Sequence, residues 1–145
     1  MGSVFRVCPF PLPLIIFKSS GLIIYSVCRA VLSDHTGLIG QLSLQNNTLV
    51  AGDNRGTVKL WSLPERTGQT IAEDEEGDPV ISLVIDGERI LFGYASGSAY
   101  LVHRGSGARE VLVTGADVVW SVGFTPAKRP WVVYRRGKYT WLHVL

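Results

Sequence analysis

Short apolar runs separated by turn residues make up the chain from about residue 29 onward. The runs are rich in Val, Ile, Leu, Thr, Tyr and Trp, and turn residues recur every eight to twelve or so positions, a pattern typical of all-β folds. No stretch sustains the period of an amphipathic helix. The pattern predicts strands at 38–44, 48–52, 57–63, 69–72, 80–85, 89–93, 98–103, 109–113, 119–124, 131–134 and 139–145.

The strand pattern is itself repeated. The segment 38–61 aligns without a gap on 79–102 at a shift of 41 residues, and a third copy at 117–142 follows at a shift of about 40 after small adjustments. A period of about 40 to 45 residues with three or four strands per unit is typical of β-propeller blades. We therefore predict an all-β partial propeller of about three four-stranded blades, which is incomplete as a single chain.

Each copy carries a glycine between two strand-like runs, at Gly56, Gly97 and Gly137. A tight hairpin often requires a positive φ, which a Cβ atom penalises. The neighbouring runs TLVAG and TVKLW lack clean alternation, as expected for strands that are covered on both faces. Each unit is therefore predicted to be one blade with a glycine-bearing turn.

The first copy, CRAVLSDHTGLIGQLSLQNNTLVAGDNRGTVKLWSL, resembles a WD repeat. Its Asp34-His35 pair stands at the family's Gly-His position, and its Trp61-Ser62 pair stands at the Trp-Asp position. The resemblance implies a structural role for His35 and Trp61, in a buried hydrogen-bonded set that also contains a strand hydroxyl and a turn aspartate.

This copy departs from the WD pattern at two positions. Ala51 replaces the usual Ser or Thr, and Arg55 replaces the aspartate. We therefore expect half of the hydrogen-bonded set to be missing. The second and third copies lack both the histidine and the tryptophan. They are therefore recognised as repeats by their spacing of about 40 residues and not by the WD signature residues.

A narrower resemblance covers about 117 of the 145 residues. The three copies are similar to the last three blades of fungal F-box/WD-repeat proteins, the substrate receptors of cullin-RING ubiquitin ligases. The start HTGLIGQL, the centre TLVAGDNRGTVKLWSL and the VVW near the C-terminus carry this similarity, whereas Ser121 stands where relatives tend to carry arginine. The resemblance implies recognition of a phosphorylated partner by arginines on one propeller face, although the F-box itself is lacking.

Alternating strand directions predict where a partner would bind. The turn between the second and third strands of a blade lies on the same face as the loop that leads into the next blade. That face collects residues 53–55, the acidic run 73–76, and Arg135, Arg136 and Lys138. Guanidinium groups bind phosphate by paired, charge-assisted hydrogen bonds, so Arg55, Arg135 and Arg136 are the candidate ligand residues. The acidic run is interpreted as a solubilising loop, and Lys128 and Arg129 fall on the opposite face.

Composition and charge exclude several classes of function. The net charge is +2, from 14 basic and 12 acidic residues, so we expect neither a nucleic-acid partner nor a membrane partner. Cys8 and Cys28 lie far from any histidine cluster, which predicts no zinc site, no disulfide framework and a cytoplasmic or nuclear protein. No nucleophile–base set, phosphate-binding glycine loop or carboxylate pair suggests catalysis, so we expect no enzyme, cofactor or metal.

The domain organisation follows from the repeat. Residues 28–145 are predicted to form three WD-like repeats at about 28–67, 68–107 and 108–145. Residues 1–27 are an apolar extension interrupted by three prolines and Lys18, and two interpretations stay open: a secretory signal or anchor, or buried strands of an atypical extension. In the second interpretation, strands at about 14–17 and 22–27 cover an open flank of the propeller.

Three blades cannot close a ring, and closure is what protects the edges of propeller sheets. The chain is therefore a truncated product, self-associates to build a ring, or packs on another propeller. The function predicted from the sequence is a non-catalytic protein–protein interaction module that resembles the F-box/WD substrate receptors. A general WD scaffold without a ubiquitin role, an inert propeller remnant and a secreted or membrane-anchored β protein are the alternatives.

Overall fold

A computed structural model describes residues 3–7, 14–18, 21–25, 30–63 and 65–145, and the side chains of 34–63 and 65–145. Strands form all the regular secondary structure of these ranges: β1 (Ser3–Val7), β2 (Leu14–Lys18), β3 (Gly21–Tyr25), β4 (Ala30–His35), β5 (Ile39–Gln45), β6 (Thr48–Asp53), β7 (Val58–Ser62), β8 (Thr67–Ala72), β9 (Val80–Asp86), β10 (Arg89–Tyr94), β11 (Ala99–His103), β12 (Arg109–Val113), β13 (Val118–Phe124), β14 (Pro130–Arg136) and β15 (Tyr139–Val144). Within the ranges described, no helix is long and apolar enough to cross a membrane.

Three antiparallel sheets form the blades of the fold, each with its strands in chain order. Blade 1 is β5-β6-β7-β8, blade 2 is β9-β10-β11-β12, and blade 3 is β13-β14-β15. Every predicted strand is present, and its ends agree with the prediction to within two residues. The predicted all-β partial propeller is therefore confirmed, with four strands in each of the first two blades and three in the third.

The N-terminal strands form two further small sheets, in which β1 pairs with β4 and β2 pairs with β3. The predicted strands of the extension overlap β2 and β3. Residues 26 and 27 lie outside the described residues, as do Cys8, Cys28 and the three prolines. The role of this hairpin in covering a flank stays a hypothesis, and so do the predicted repeat boundaries.

The strand registers place equivalent residues at the same point of each blade. On the first and second strands, Leu42 pairs with Ala51 in blade 1, Leu83 with Phe92 in blade 2, and Val122 with Val132 in blade 3. The next pairs along the ladder are Gln41 with Gly52, Ser82 with Gly93, and Ser121 with Val133. The repeat alignment therefore corresponds to a real structural repeat.

The core lies between neighbouring blades, because each sheet buries apolar side chains against the next. A glycine on the second strand makes room for a valine of the following blade: a Cβ atom on Gly52 would lie 2.6 Å from Cγ1 of Val80, and one on Gly93 would lie 2.6 Å from Cγ1 of Val119. We call the side of a blade that faces the preceding blade its rear face and the other side its front face. Gly52 and Gly93 therefore each leave a hole in the front face of their blade, and a valine of the following blade occupies it.

Side-chain hydroxyl groups also join the first strands of neighbouring blades. The backbone N–H of Ile85 donates to Ser43 Oγ at 3.1 Å, and the N–H of Val122 donates to Ser82 Oγ at 3.0 Å. Because the first strands are the central ones of the partial ring, these bonds fix neighbouring blades against each other where they come closest. The holes and the hydroxyl bonds together define the native interface between blades.

Candidate functional site

The turns between second and third strands meet the loops that lead into the following blade. Gly56, Gly97 and Gly137 have φ angles of 84°, 94° and 61°, which confirms the predicted positive values. The carbonyl of Gly56 accepts the N–H of Asp74 at 3.2 Å, and the carbonyl of Gly97 accepts the N–H of Ala116 at 3.3 Å. In blade 3, the N–H of Gly137 donates to Asp117 Oδ2 at 2.7 Å. These residues define one edge of the molecule, the turn face, composed of residues 54–57, 73–79, 95–98, 114–117 and 135–138.

Arg55 is exposed on the turn face, beside the acidic run. Its turn contacts the loop of the run directly, since a Cβ atom on Gly56 would lie 2.5 Å from Cβ of Asp74. Asp74 is half-buried, and its Oδ2 accepts the N–H of Asp78 at 2.8 Å, so this member of the run shapes the loop. The other three members, at 73, 75 and 76, are exposed.

Arg135 and Arg136 are exposed at the opposite end of the turn face. Arg135 Nε lies 3.8 Å from Asp117 Oδ2, and an Arg136 guanidinium nitrogen donates to the carbonyl of Thr114 at 2.9 Å. The Arg136 guanidinium also lies 5.5 Å from the ring centre of Tyr134. The structure thus brings Arg135 and Arg136 together beside one loop, whereas no contact among the described residues joins either of them to Arg55.

The pair formed by His35 and Asp53 is the main feature that the sequence did not reveal. His35 Nδ1 lies 2.9 Å from Asp53 Oδ2, and both side chains are fully buried. Asp53 Oδ1 accepts the N–H groups of Arg55 and Thr57, each at 2.9 Å. The aspartate that the WD comparison assigned to position 55 is therefore supplied by Asp53, which is buried rather than displayed on the turn face.

The same hydrogen bonds set the charge state of Asp53. Burial raises the pKa of this carboxyl, but the hydrogen bonds from His35, Thr57 and Arg55 lower it more, so the pKa of Asp53 lies below its ordinary value. Asp53 is therefore a buried carboxylate that holds the histidine and the turn in place.

Ala51 supplies no hydroxyl to the set, because its side chain is a methyl group. It is fully buried, and it lies two residues before Asp53, hence on the same side of β6. His35 Nε2 is buried and has no hydrogen-bond partner among the described residues. Trp61 is buried with Leu49 and packs against Leu63. Ala51 and Asp53 therefore lie on the rear face of blade 1, where His35 contacts Asp53. Position 51 provides no hydroxyl for the histidine.

The rear face of blade 1 is covered only in part. Its outer portion is buried and includes Leu49, Ala51 and Trp61. Its inner strand is open, because Leu42 and Leu44 are 54% and 61% exposed, and Leu38, just before this strand, is 71% exposed. The equivalent residues of blade 2, Leu83 and Ile85, are only 8% and 6% exposed because blade 1 packs on them.

The front face of blade 3 does not match the other two. Val133 stands at the position of Gly52 and Gly93, so the hole that receives a valine is filled. Leu142 and Val144 on the same face are 65% and 38% exposed. A blade seated here in the native manner would meet the Val133 side chain.

The opposite edge of the molecule carries Lys128 and Arg129, as predicted, and the side chains of both form polar contacts within the chain. Lys128 Nζ lies 2.6 Å from Asp86 Oδ1, and its hydrogen bond holds the pKa of Asp86 below its ordinary value. Arg129 Nε donates to the carbonyl of Leu145 at 2.8 Å. Within the described ranges, no group of three or more His, Cys, Asp or Glu side chains lies close enough to hold a metal ion.

No family model and no curated protein matches the sequence. Solved structures match the fold. The WD40 β-propeller domain of Doa1 superposes with a TM-score of 0.67 at 16% identity, over 83% of this chain and 42% of that chain. The computationally designed Ika8 protein superposes with a TM-score of 0.60 at 20% identity, over 76% of this chain and 34% of that chain. The chain therefore has the fold of a partial WD-type β-propeller and spans less than half of either matched chain.

Proposed function

We propose that this chain is a non-catalytic protein-interaction module and that its partner is a phosphorylated protein bound at the turn face. The observation that carries the proposal is the hydrogen-bonded framework of turns and loops, from which three exposed arginines project. The resemblance to the F-box/WD substrate receptors supports the phosphorylated partner, and the propeller fold supports a binding rather than a catalytic role.

Arg135 and Arg136 have the chemistry that phosphate requires. An exposed ion pair such as the one between Arg135 and Asp117, at 3.8 Å, contributes little to stability, so a phosphate competes with it at small cost. Arg136 uses one described hydrogen bond of the five that a guanidinium offers. Together they supply a paired cationic site beside loop 114–117, and Arg55 supplies a second, separate contact.

The test is affinity purification with arginine variants. The triple change Arg55→Glu, Arg135→Glu and Arg136→Glu should remove partners that wild type retains, and phosphatase treatment of the lysate should remove the same partners. Arg66→Glu is the matched control, because Arg66 is exposed in the turn between β7 and β8, on the opposite edge. Identical partner lists for wild type and the triple variant would refute the arginine site.

The ubiquitin-ligase role needs a separate test. An open reading frame that continues upstream of this sequence into an F-box would support a substrate receptor, whereas a continuation into further WD repeats without an F-box would support a general scaffold. An inert remnant would enrich no partner at all over a column without protein.

A second candidate function is packing on another propeller segment, favoured by the open inner strand of the blade 1 rear face. Leu42 and Leu44 are exposed where the equivalent residues of blade 2 are buried by a neighbouring blade. The surface that fits is therefore the front face of a further blade with a hole on its second strand. A Leu44→Glu variant should lose such a partner, whereas Val111→Glu, on the exposed outer strand of blade 2, should keep it.

A further inference from the structure

A groove separates the outer strands of blades 1 and 2, at the edge of the molecule opposite the turn face. It has a volume of about 580 Å³ and is open to solvent. Each of the two blades has four paired strands, so the groove lies between two full-width sheets. Its volume is within the range of roughly 300–1,000 Å³ that is usual for ligand sites. We call it the inter-blade groove.

The floor of the inter-blade groove is the front face of blade 1. Val58 is the partner of Gly52 on this face. Leu60 and Ser62 follow at spacings of two and four residues, so they project from the same face. Gln69 pairs with Leu60 and lies beside it. The floor therefore combines a buried leucine with a hydroxyl and an amide, which can hydrogen-bond to a peptide backbone.

Charged residues of three turns form the walls of the groove. Glu65 lies in the turn between β7 and β8, Glu88 in the turn between β9 and β10, and Arg104 in the turn between β11 and β12. The guanidinium of Arg104 donates to Thr48 Oγ1 at 3.1 Å, and its backbone N–H donates to the carbonyl of Glu88 at 2.7 Å. The walls thus carry two carboxylates and one anchored guanidinium.

The two carboxylates are exposed and have no cationic partner in the described part of the chain. No Lys, Arg or His there forms an ion pair with Glu65 or Glu88. The same edge is different between blades 2 and 3, where Asp86 forms ion pairs with both Lys128 and Arg89. The inter-blade groove therefore has an excess of negative charge that the fold itself does not use.

We propose that the inter-blade groove binds an extended, basic peptide segment of a partner protein, with the cationic group of one lysine or arginine held by Glu65 and Glu88. The methylene stem of such a side chain can lie on Leu60 while its charged end reaches the carboxylates. Ser62 and Arg104 supply hydrogen-bonding groups for the main chain of the segment. An enclosed apolar cavity would favour a small molecule, whereas this groove is open and lined mainly by polar residues.

The inter-blade groove is separate from the arginines of the turn face. Its walls are turns of the opposite edge, so a segment bound there does not compete with a ligand of Arg135 and Arg136. The inference therefore does not depend on the phosphorylated partner proposed above.

Pentapeptides that differ only in their central residue provide the first test. The probes are Ala-Ser-Xaa-Ser-Ala with capped ends, where Xaa is arginine, lysine, citrulline or glutamate, and an NMR titration of the whole chain measures the affinity of each. We expect the arginine and lysine probes to bind about tenfold more tightly than the citrulline probe, which has the shape of arginine without its charge. The amides of Ser62, Gln69 and Arg104 should shift. Equal affinity for citrulline, tighter binding of the glutamate probe, or no binding at millimolar concentration would overturn the proposal.

Charge-removing variants locate the bound peptide. Glu65→Gln and Glu88→Gln should each weaken the arginine probe by about tenfold and leave the melting temperature unchanged, because both side chains are exposed. Glu73→Gln is the matched control, since it removes the same charge from an exposed position on the turn face. An equal loss of affinity in Glu73→Gln would show that the peptide is held by overall charge, and undiminished binding in the Glu65→Gln, Glu88→Gln double variant would show that it binds elsewhere. Either result overturns the proposal.

A cation placed in the groove gives an independent test. A Cβ atom on Gly105 would lie 3.7 Å from Glu88 Oε2 and would meet no closer atom outside its own neighbours in the chain. Gly105→Lys should therefore pair with Glu88 and abolish binding of the arginine probe, whereas Gly105→Gln, of similar size but neutral, should weaken it less. Full affinity in a folded Gly105→Lys variant would contradict the assignment of Glu88.

Discussion

At the scale of single residues, the buried histidine of blade 1 has one ring nitrogen without a hydrogen-bond partner among the described residues. This nitrogen is His35 Nε2, and Ala51 lies on the same side of β6 as the Asp53 that binds the other ring nitrogen. We predict that Ala51→Ser raises the free energy of unfolding by about 0.5–1.5 kcal/mol, because its hydroxyl can bond Nε2. Urea unfolding would measure the change. In the control, Ala99→Ser, a hydroxyl is buried beside no described orphan atom, and stability should fall. A loss in both variants would show that the histidine does not accept this partner.

The carboxylate of Asp53 gives the fold a dependence on pH. Its pKa is lower in the folded chain than its ordinary value, so its contribution to stability is fully present above about pH 4 and is lost as the pH falls through the folded-state pKa. We predict that Asp53→Asn costs about 1–3 kcal/mol at pH 7 and that the difference from wild type shrinks in acid. Unfolding curves at pH 7 and pH 3 would test this. A difference that stays constant or grows in acid would show that Asp53 is not the titrating group.

At the scale of elements, the glycine turns differ in what surrounds them. Gly97 has a φ of 94°, and a Cβ atom there would strike the carbonyl group of Ala116, whereas Gly137 has a φ of 61° with open space around it. We predict that Gly137→Ala costs about 1–2 kcal/mol, the penalty of the left-handed conformation alone, and that Gly97→Ala costs clearly more. Thermal melts of the two variants provide the comparison. Equal costs would show that the turn of blade 2 shifts away from the following loop without loss.

The elements were predictable from the sequence because their causes are local. The glycine turns and the apolar runs on either side of them determine the strands, and the copies of residues 38–61 at 79–102 and 117–142 determine the number of blades. The partner of His35 was not predictable, because Asp53 reaches it only through the pairing of β6 and the return of the chain from β4.

At the scale of the whole molecule, residues at equivalent positions of different blades differ in how far they are buried, because the ring of blades is partial. Leu83 is buried by the preceding blade, whereas Leu42 holds the same position in blade 1 and is 54% exposed. We predict that Leu83→Ala costs about 2–5 kcal/mol, as is usual for a buried leucine, and that Leu42→Ala costs less than about 0.5 kcal/mol, as is usual for a surface position. Urea unfolding of both variants at low protein concentration would measure the difference. If Leu42→Ala proved as costly as Leu83→Ala, the inner strand of blade 1 would be covered in solution, and repeating the measurement over a range of protein concentrations would separate a second copy from a segment of the same chain.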